Sequence, residues 1–425
     1  MGPASTSYYT YVVSNVVTNL QTLGLLGILL LFIYLIAKRV MSGESSSTAA
    51  VAAAAAKDDM STGLLTHRPP LTARERLDML PALLAVTASG ARSTLTGLHR
   101  KDKHARTHGL HVRYAIMRKA TARMTAKQLR QILPASNKVY NSYMKSKGKK
   151  PDTVELGENA LGHWIGDKKA DNVLIFFHGG GYALPATEGY FQFYAKLIED
   201  MRKEGKSLCV FALTYTLAPD AQYPVQIRQA TACLRYILDL KTWDEERIFI
   251  GGDSAGGNLT CALLSHIAHP HPKVPPLEAS HIGGALLLSP WTYLQSETHG
   301  HVIDSCGDLV SEQVNGPWST GYLGDAPNDN YTDASTAPGE WFVSYPVNKI
   351  FISAGGNEIL LPAIEMLVQN LRSGFQGQIE FVIGKREAHV APIYDPFLGC
   401  KQESQQAKGL YKWLVESLHP AAPSS

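Results

Sequence analysis

Short apolar segments alternate with longer segments of helical periodicity over the second part of the chain. From the apolar segments, which are rich in β-branched and aromatic residues, we predict six strands at 173–177, 208–213, 247–250, 285–288, 350–352 and 379–382. Helices are predicted between most of them, at 191–203, 225–240, 258–269 and 364–371. Strands that are apolar throughout need cover on both faces, so this alternation indicates a mainly parallel sheet with helices on each side. We place the α/β domain at residues 151–418.

Two further regions depart from this alternation. Residues 71–150 carry apolar residues at helical spacing, including Leu77, Leu80 and Leu84, with many Arg and Lys between them. We predict a helical cap whose basic side chains face solvent, and a face resting on anionic lipid is the alternative. Residues 291–346 lack periodicity and are rich in Gly, Asp, Asn and Pro, which predicts an inserted lid.

The N-terminal part contains the most apolar segment of the chain. Residues 20–37 carry no charge, and Lys38 and Arg39 end the run. The run is just long enough to cross a bilayer, and no positive charge precedes it as one would in a cleaved signal peptide. We therefore predict a single membrane-spanning anchor within residues 1–41; a signal peptide and a buried soluble helix are the alternatives. Residues 42–70, rich in Ser and Ala, are predicted to be a linker.

Composition narrows the class of protein only a little. With 425 residues, 45% of them hydrophobic, the chain can form a substantial core. A net charge of +3 gives no case for a nucleic-acid partner. The five cysteines show neither a disulfide framework nor a metal motif; Cys209, Cys233 and Cys261 fit a core, and one disulfide remains open.

A glycine-flanked serine follows the third predicted strand. Residues 252–256 read Gly-Asp-Ser-Ala-Gly, and a helix-compatible stretch comes next. A sharp turn from strand to helix would lift the hydroxyl of Ser254 out of the sheet, and the glycines permit the backbone angles and the close packing this requires. Ser254 is the candidate nucleophile.

Three consecutive glycines follow the first predicted strand, after His178. The backbone N–H groups of Gly179, Gly180 and Gly181 are unblocked by side chains and can donate to an oxygen that gains negative charge. A plain glycine-rich turn is the alternative. The N–H of Ala255, next after the serine, is predicted to be a further donor.

A serine hydroxyl is a weak nucleophile at neutral pH and needs a base. His389 lies on the loop after the last predicted strand, and Glu358 is the single carboxylate in the turn after strand 350–352. We predict that His389 is the base and that Glu358 fixes its tautomer. The alternatives are a loop histidine without a role and a carboxylate that favours a helix N-terminus.

With these residues, the chain resembles the hormone-sensitive-lipase-like branch of the α/β-hydrolases over roughly residues 155–415. The resemblance rests on four segments: His-Gly-Gly-Gly at 178–181, Gly-Asp-Ser-Ala-Gly-Gly at 252–257, Tyr-Thr-Leu-Ala-Pro at 215–219 and Leu-Ser-Pro-Trp at 288–291. It implies an α/β-hydrolase fold and the catalytic triad Ser254, Glu358 and His389. Two positions depart from the family: Glu358 replaces the usual aspartate, and Thr216 replaces the usual arginine.

The resemblance is greatest to fungal membrane-anchored members such as the steryl acetyl hydrolases. It implies a serine carboxylesterase acting on hydrophobic esters without metal or organic cofactor; a silent ligand-binding fold and an amidase or N-deacetylase are the alternatives. We expect the protein to lie in the endoplasmic-reticulum membrane, and the sequence does not indicate its oligomeric state. Asn330 begins a glycosylation sequon and favours a lumenal domain, whereas Lys38 and Arg39 favour the cytosol. A second sequon at Asn258 is expected to be buried.

Overall fold

A computed structural model describes residues 63–294 and 305–420. Within these ranges, no helix is both long enough and apolar enough to cross a membrane. The predicted anchor at 1–41 lies outside the described residues, as does most of the predicted linker.

One eight-stranded sheet forms the centre of the molecule, in the order β1-β2-β4-β3-β5-β6-β7-β8. The strands are β1 Thr153–Glu155, β2 Leu161–Ile165, β3 Asn172–Phe177, β4 Leu208–Thr214, β5 Ile248–Asp253, β6 Gly284–Leu288, β7 Lys349–Gly355 and β8 Gln378–Gly384. The pairs β4–β3, β3–β5, β5–β6, β6–β7 and β7–β8 are parallel, which confirms the mainly parallel sheet. The pairs β1–β2 and β2–β4 are antiparallel.

Twelve α-helices are found among the described residues. They are α1 Gly63–Thr66, α2 Ala73–Thr96, α3 His108–Arg123, α4 Ala126–Ile132, α5 Ser136–Ser146, α6 Glu188–Lys203, α7 Val225–Leu240, α8 Ala255–Ala268, α9 Asn315–Leu323, α10 Leu361–Gly374, α11 Ala391–Phe397 and α12 Gln405–Ser417. Short 3-10 helices occupy Gly97–His99, Glu245–Arg247, Ser305–Gly307, Glu312–Val314, Ala334–Thr336 and Gly339–Phe342.

Helices cover both faces of the sheet because successive side chains of each strand point to opposite sides. In β3, Val173 and Ile175 pack into a core with α7, α8 and α10, whereas Leu174 and Phe176 pack into a second core with α6, α11 and α12. The central strands are therefore buried on both faces. All five cysteines are free and three of them are buried. The disulfide that the sequence left as an alternative is therefore not formed in this structure.

Helices α2 to α5 form the cap. Thr72 and Glu75 fix the start of α2, since each side chain bonds the backbone N–H of the other residue. The largely buried Arg106 joins the cap to the sheet domain through the buried Asp395, at 2.6 Å. A second ion pair, between the buried Arg130 of α4 and the partly buried Asp220 at 2.6 Å, does the same.

The predicted insertion divides into two parts. Its first described part contains Val314 and Trp318, which line the cavity that holds Ser254. The later part packs elsewhere: Tyr345 bonds Ser265 on α8, and the 3-10 helices at 334–342 pack on α10. Only part of residues 291–346 therefore lies over the site.

Candidate active site

Ser254 occupies a strained turn between β5 and α8. Its backbone has φ +50° and ψ −119°, a conformation that a non-glycine residue adopts only under tight structural constraint. Glycine is required at the positions beside it because there is no room for a side chain. A Cβ at Gly256 would lie 1.9 Å from the carbonyl oxygen of Phe177, and one at Gly252 would lie 2.3 Å from the carbonyl oxygen of Gly256. These contacts bring α8 against the sheet and present Ser254 at the cavity.

Glu358 and His389 meet beside this serine. Nδ1 of His389 lies 3.4 Å from Oε1 of Glu358, and both side chains are buried. The other carboxylate oxygen, Oε2, accepts hydrogen bonds from the Ser289 hydroxyl at 2.6 Å and the Gly355 N–H at 2.5 Å. Glu358 is thus held by two donors while its remaining oxygen faces the imidazole. His389 lines the same cavity as Ser254.

The surroundings favour the protonated form of His389. Burial by itself would lower the pKa of the imidazole, but the hydrogen bond and charge of Glu358 and the charges of Asp308 and Asp253 raise this pKa above its ordinary value. An imidazolium that forms when the serine loses its proton would therefore be stabilised where it stands.

Asp308 is a buried residue of this site that the sequence pattern does not reveal. One carboxylate oxygen accepts the N–H of His389 at 3.0 Å, and the other accepts the N–H of Ile359 at 2.9 Å. Asp308 therefore ties the loop of His389 to the loop of Glu358. It lies in the insertion without periodicity, where no sequence signal marked it.

Ser289 also joins the two loops. Its backbone is left-handed, with φ +47°, and its hydroxyl donates to Glu358 while accepting the N–H of Val390 at 3.0 Å. The sequence contained Ser289 within the family segment at 288–291, but not this bridging contact.

In the glycine loop (residues 179–181), the prediction that the Gly179 N–H donates to an oxyanion is wrong. The N–H of Gly179 donates to Asp253 at 2.8 Å and also lies 3.1 Å from the Tyr190 hydroxyl, so it is not available to a substrate. Gly180 and Gly181, with φ of +105° and +59°, line the cavity beside Ser254. None of the backbone hydrogen bonds in the described ranges uses either N–H.

The other donor and the neighbouring carboxylate follow from local structure. The N–H of Ala255 opens α8 and so has no helical carbonyl one turn earlier. Burial raises the pKa of Asp253 to about 7, although hydrogen bonds from Tyr190 and Gly179 lower it. Through the hydrogen bond that it accepts from the Gly179 N–H, Asp253 holds the glycine loop in place.

The cavity above these groups is apolar. It encloses about 640 Å³, including open space at its mouth. Its walls come from the cap, the glycine loop, the insertion and α11, with Met117, Leu184, Val314, Trp318, Leu360 and Tyr394 among the lining residues. Trp318 lies directly on the glycine loop: a Cβ at Gly181 would be 2.0 Å from its ring. In the ranges 63–294 and 305–420, no cluster of His, Cys, Asp or Glu could hold a metal ion.

Comparison with known proteins places this arrangement in a family. A family model described as an alpha/beta hydrolase fold matches residues 174–392, just over half of the chain. The chain belongs to the α/β-hydrolase family.

Named relatives of this α/β-hydrolase are hydrolases. It is 34% identical over 129 residues to Steryl acetyl hydrolase 1 of Saccharomyces cerevisiae, a match that covers 29% of this chain and 28% of the relative. It is 26% identical over 160 residues to an acetyl-hydrolase of Streptomyces hygroscopicus, covering 37% and 49%. The chain thus matches less than half the length of either relative.

A solved structure agrees at the level of the fold. An esterase from the bacterial hormone-sensitive lipase family superposes with a TM-score of 0.55 at 20% identity, covering 74% of this chain and all of the other.

At Thr216, where the resemblance led us to expect arginine, the structure has a network of hydrogen bonds. The amide of Gln229 donates to the Thr216 hydroxyl at 2.8 Å and to the Glu158 carbonyl at 2.6 Å, while the Thr216 N–H donates to Gln229 at 3.0 Å. The polar groups of Thr216 are thus satisfied by local hydrogen bonds, away from Ser254.

The two sequons differ in exposure. Asn258 is fully buried, as expected, and its side chain bonds Tyr182 and the carbonyl of Trp291. Asn330 is partly exposed, whereas the hydroxyl of Thr332 is buried and donates to Asp333 at 2.8 Å. Glycosylation of Asn330 stays a prediction.

Proposed function

We propose that this α/β-hydrolase is a membrane-anchored serine carboxylesterase. One observation carries the proposal: Ser254, His389 and the free N–H groups of Gly180 and Gly181 share a single apolar cavity, and Glu358 bonds the far side of the imidazole. Nucleophile, base, orienting acid and oxyanion donors are the parts that acyl transfer through a covalent intermediate requires.

The reaction follows from the roles of these groups. Nε2 of His389 removes the proton of Ser254 as Oγ attacks the ester carbonyl carbon. The carbonyl oxygen becomes negative and accepts hydrogen bonds from Gly180, Gly181 and Ala255. As the tetrahedral intermediate collapses, the carbon–oxygen bond to the alcohol breaks and His389 gives that alcohol its proton. Water, activated by His389, then attacks the acyl-enzyme and releases the acid and Ser254.

The substrate class is supported by the cavity and by the relatives. Walls of Met117, Leu184, Trp318 and Leu360 favour an apolar ester. Two relatives are named as acetyl hydrolases, one of them of steryl acetates. We therefore propose acetate esters of hydrophobic alcohols, sterols foremost.

The sequence supports a proposal for the location. The uncharged run 20–37 supports a single membrane span, and an anchored enzyme would meet substrates that partition into the bilayer. We propose the endoplasmic reticulum, with the catalytic domain in the lumen and sugar on Asn330. Endoglycosidase treatment of the native protein is expected to increase its electrophoretic mobility, and unchanged mobility would contradict the lumenal placement.

Turnover tests the activity. The purified full chain is assayed on steryl acetates and on p-nitrophenyl esters of increasing acyl length, with Ser254→Ala as the control. We expect hydrolysis with a preference for acetate and none in the control. A matched acetamide is included, and faster cleavage of the amide than of the ester would instead favour an amidase. Ester turnover that survives in Ser254→Ala would overturn the proposed nucleophile.

A further inference from the structure

Helix α2 carries an apolar face that no described residue covers. Among the described residues, nine large hydrophobic side chains are exposed, and five of them lie within 77–98. Leu77 and Leu95 are each 72% exposed, Leu84 is 55% exposed and Leu80 is 45% exposed. Exposed apolar patches of this kind mark interaction surfaces.

The exposed positions form one continuous stripe, which we name the leucine face. It consists of Leu77, Leu80, Pro81, Leu84, Ala88, Ala91 and Leu95, all exposed. At 3.6 residues per turn, these positions fall within about 100° of the helix circumference, with no polar residue between them. The fifth exposed leucine, Leu98, follows directly in the next 3-10 helix.

The leucine face does not serve the packing of the cap. The opposite side of α2 is buried through Met79, Ala82, Leu83 and Val86, which pack within the cap. A helix that is buried on one side and apolar on the opposite side is expected to pack against a second partner.

Charge indicates the kind of partner. Arg74, Arg76 and Arg92 are exposed around the stripe. The acidic residues of α2 are both engaged: Glu75 caps the helix, and Asp78 bonds Arg123. An apolar helix face flanked by arginines is typical of segments that lie on a lipid surface with anionic headgroups.

The position of α2 also fits a lipid surface. Its buried side contacts the cluster that includes Leu184 and Trp318, both of which line the cavity with Ser254. The leucine face is therefore one helix layer from the cavity. The uncharged run that we propose as the anchor ends at residue 37 and α2 begins at Ala73, so the two are close in sequence and a bilayer would be within reach of α2.

We propose that the leucine face of α2 docks on the bilayer, with its leucines at the acyl-chain boundary and its arginines at anionic headgroups. Docking would hold the cap, and with it the cavity, against the phase that contains a hydrophobic ester. The choice of ester rests on the proposed function, but the docking itself does not.

Depth-dependent fluorescence quenching tests the contact on the full chain. A single cysteine replaces Leu84 in a Cys306→Ser, Cys400→Ser background, carries an environment-sensitive dye, and the protein is reconstituted into phosphatidylcholine–phosphatidylserine vesicles. Leu240→Cys, at the exposed end of α7, is the matched control under the same anchor. We expect nitroxides on the lipid chains to quench the dye at 84 several-fold more than at 240, and less so without phosphatidylserine.

Two results would overturn the docking. Equal, weak quenching at 84 and 240 would show that the face stays in water. Protection from aqueous iodide without quenching by lipid would show that another protein surface, from this chain or a second copy, covers it. Neither result depends on whether the protein hydrolyses esters.

Activity gives a second readout. In Leu77→Gln/Leu84→Gln, glutamine keeps the helix propensity but removes apolar area. We expect the ratio of turnover on a vesicle-borne ester to turnover on a water-soluble ester to fall about tenfold, equivalent to a loss of roughly 1.4 kcal/mol of binding. Leu240→Gln should leave that ratio unchanged. An unchanged ratio in the double variant would contradict the docking.

Discussion

The carboxyl ends of the strands, where Ser254 lies, and the cap differ in how their backbones are held. Around Ser254, the backbone itself is constrained: Ser254, Ser289 and Val390 all have positive φ, and the glycines beside the serine leave no room for a Cβ. The cap is made of ordinary helices, and α2 exposes leucines to its surroundings. The contrast teaches that the backbone at the carboxyl ends of the strands holds the proposed reacting groups in one geometry, whereas the cap presents an apolar helix face to its surroundings.

The largest effect is expected from the nucleophile itself. Ser254→Ala should lower kcat by about 10⁵–10⁶-fold, because covalent catalysis is lost, while the melting temperature changes little. Ser373→Ala, on the exposed side of α10, is the matched control and should retain full activity. Initial rates on p-nitrophenyl acetate measure the effect. A loss below tenfold would remove Ser254 from the chemistry.

Glu358→Gln should reduce kcat by about 10³–10⁴-fold, since the imidazolium loses its balancing charge and its fixed tautomer. It should also change the pH profile. Glu358 raises the pKa of His389, so the wild-type rate falls as pH drops through that raised pKa. Without the charge, the pKa falls and the acidic limb moves to lower pH. A limb that stays in place would contradict the pairing.

Ser289→Ala tests a positioning residue between the two loops. The variant leaves Oε2 of Glu358 without one donor and the Val390 N–H without its acceptor. We expect stability to fall by about 1–3 kcal/mol and kcat by roughly 10–100-fold, with little change in KM. The acidic limb should also shift, as it does not for a purely structural lesion. A stability loss with an unaltered pH profile would limit Ser289 to folding.

Trp318→Leu carries the smallest expected effect and tests the wall of the cavity that the insertion forms beside the cap. Because the ring lies against Gly181, its removal should enlarge the cavity and raise kcat/KM for hexanoate relative to acetate by about three- to tenfold. Trp341→Leu is the control, since Trp341 stacks on His269 outside the cavity. An unchanged chain-length preference would show that Trp318 does not set acyl size.

The sequence predicted the central fold well because that part is buried on both faces. The six predicted strands from β3 to β8 appear, with ends that differ by a few residues. Strands β1 and β2 were missed. β2 contains His163, whose ring nitrogens are satisfied by Thr153 and Thr214, and such a pairing becomes visible only once the strands meet.

The site was predictable where one residue carries a local signature. Ser254, Glu358 and His389 each follow a strand, and the parallel sheet brings the ends of those strands together. Asp308 has no such signature, and the use of the Gly179 N–H by Asp253 depends on a contact across 74 residues of chain. Contacts of that kind come from the packing of distant segments rather than from any local pattern.

Capture of the acyl-enzyme tests the central claim most directly. The full chain is mixed with p-nitrophenyl acetate, quenched in acid within the first turnovers, digested and examined by peptide mass spectrometry. The account predicts an acetyl group on Ser254 alone, which is absent in Ser254→Ala and accumulates in Glu358→Gln if deacylation slows more than acylation. Hydrolysis that proceeds with no acetyl group on Ser254, or with one on another residue, would contradict it.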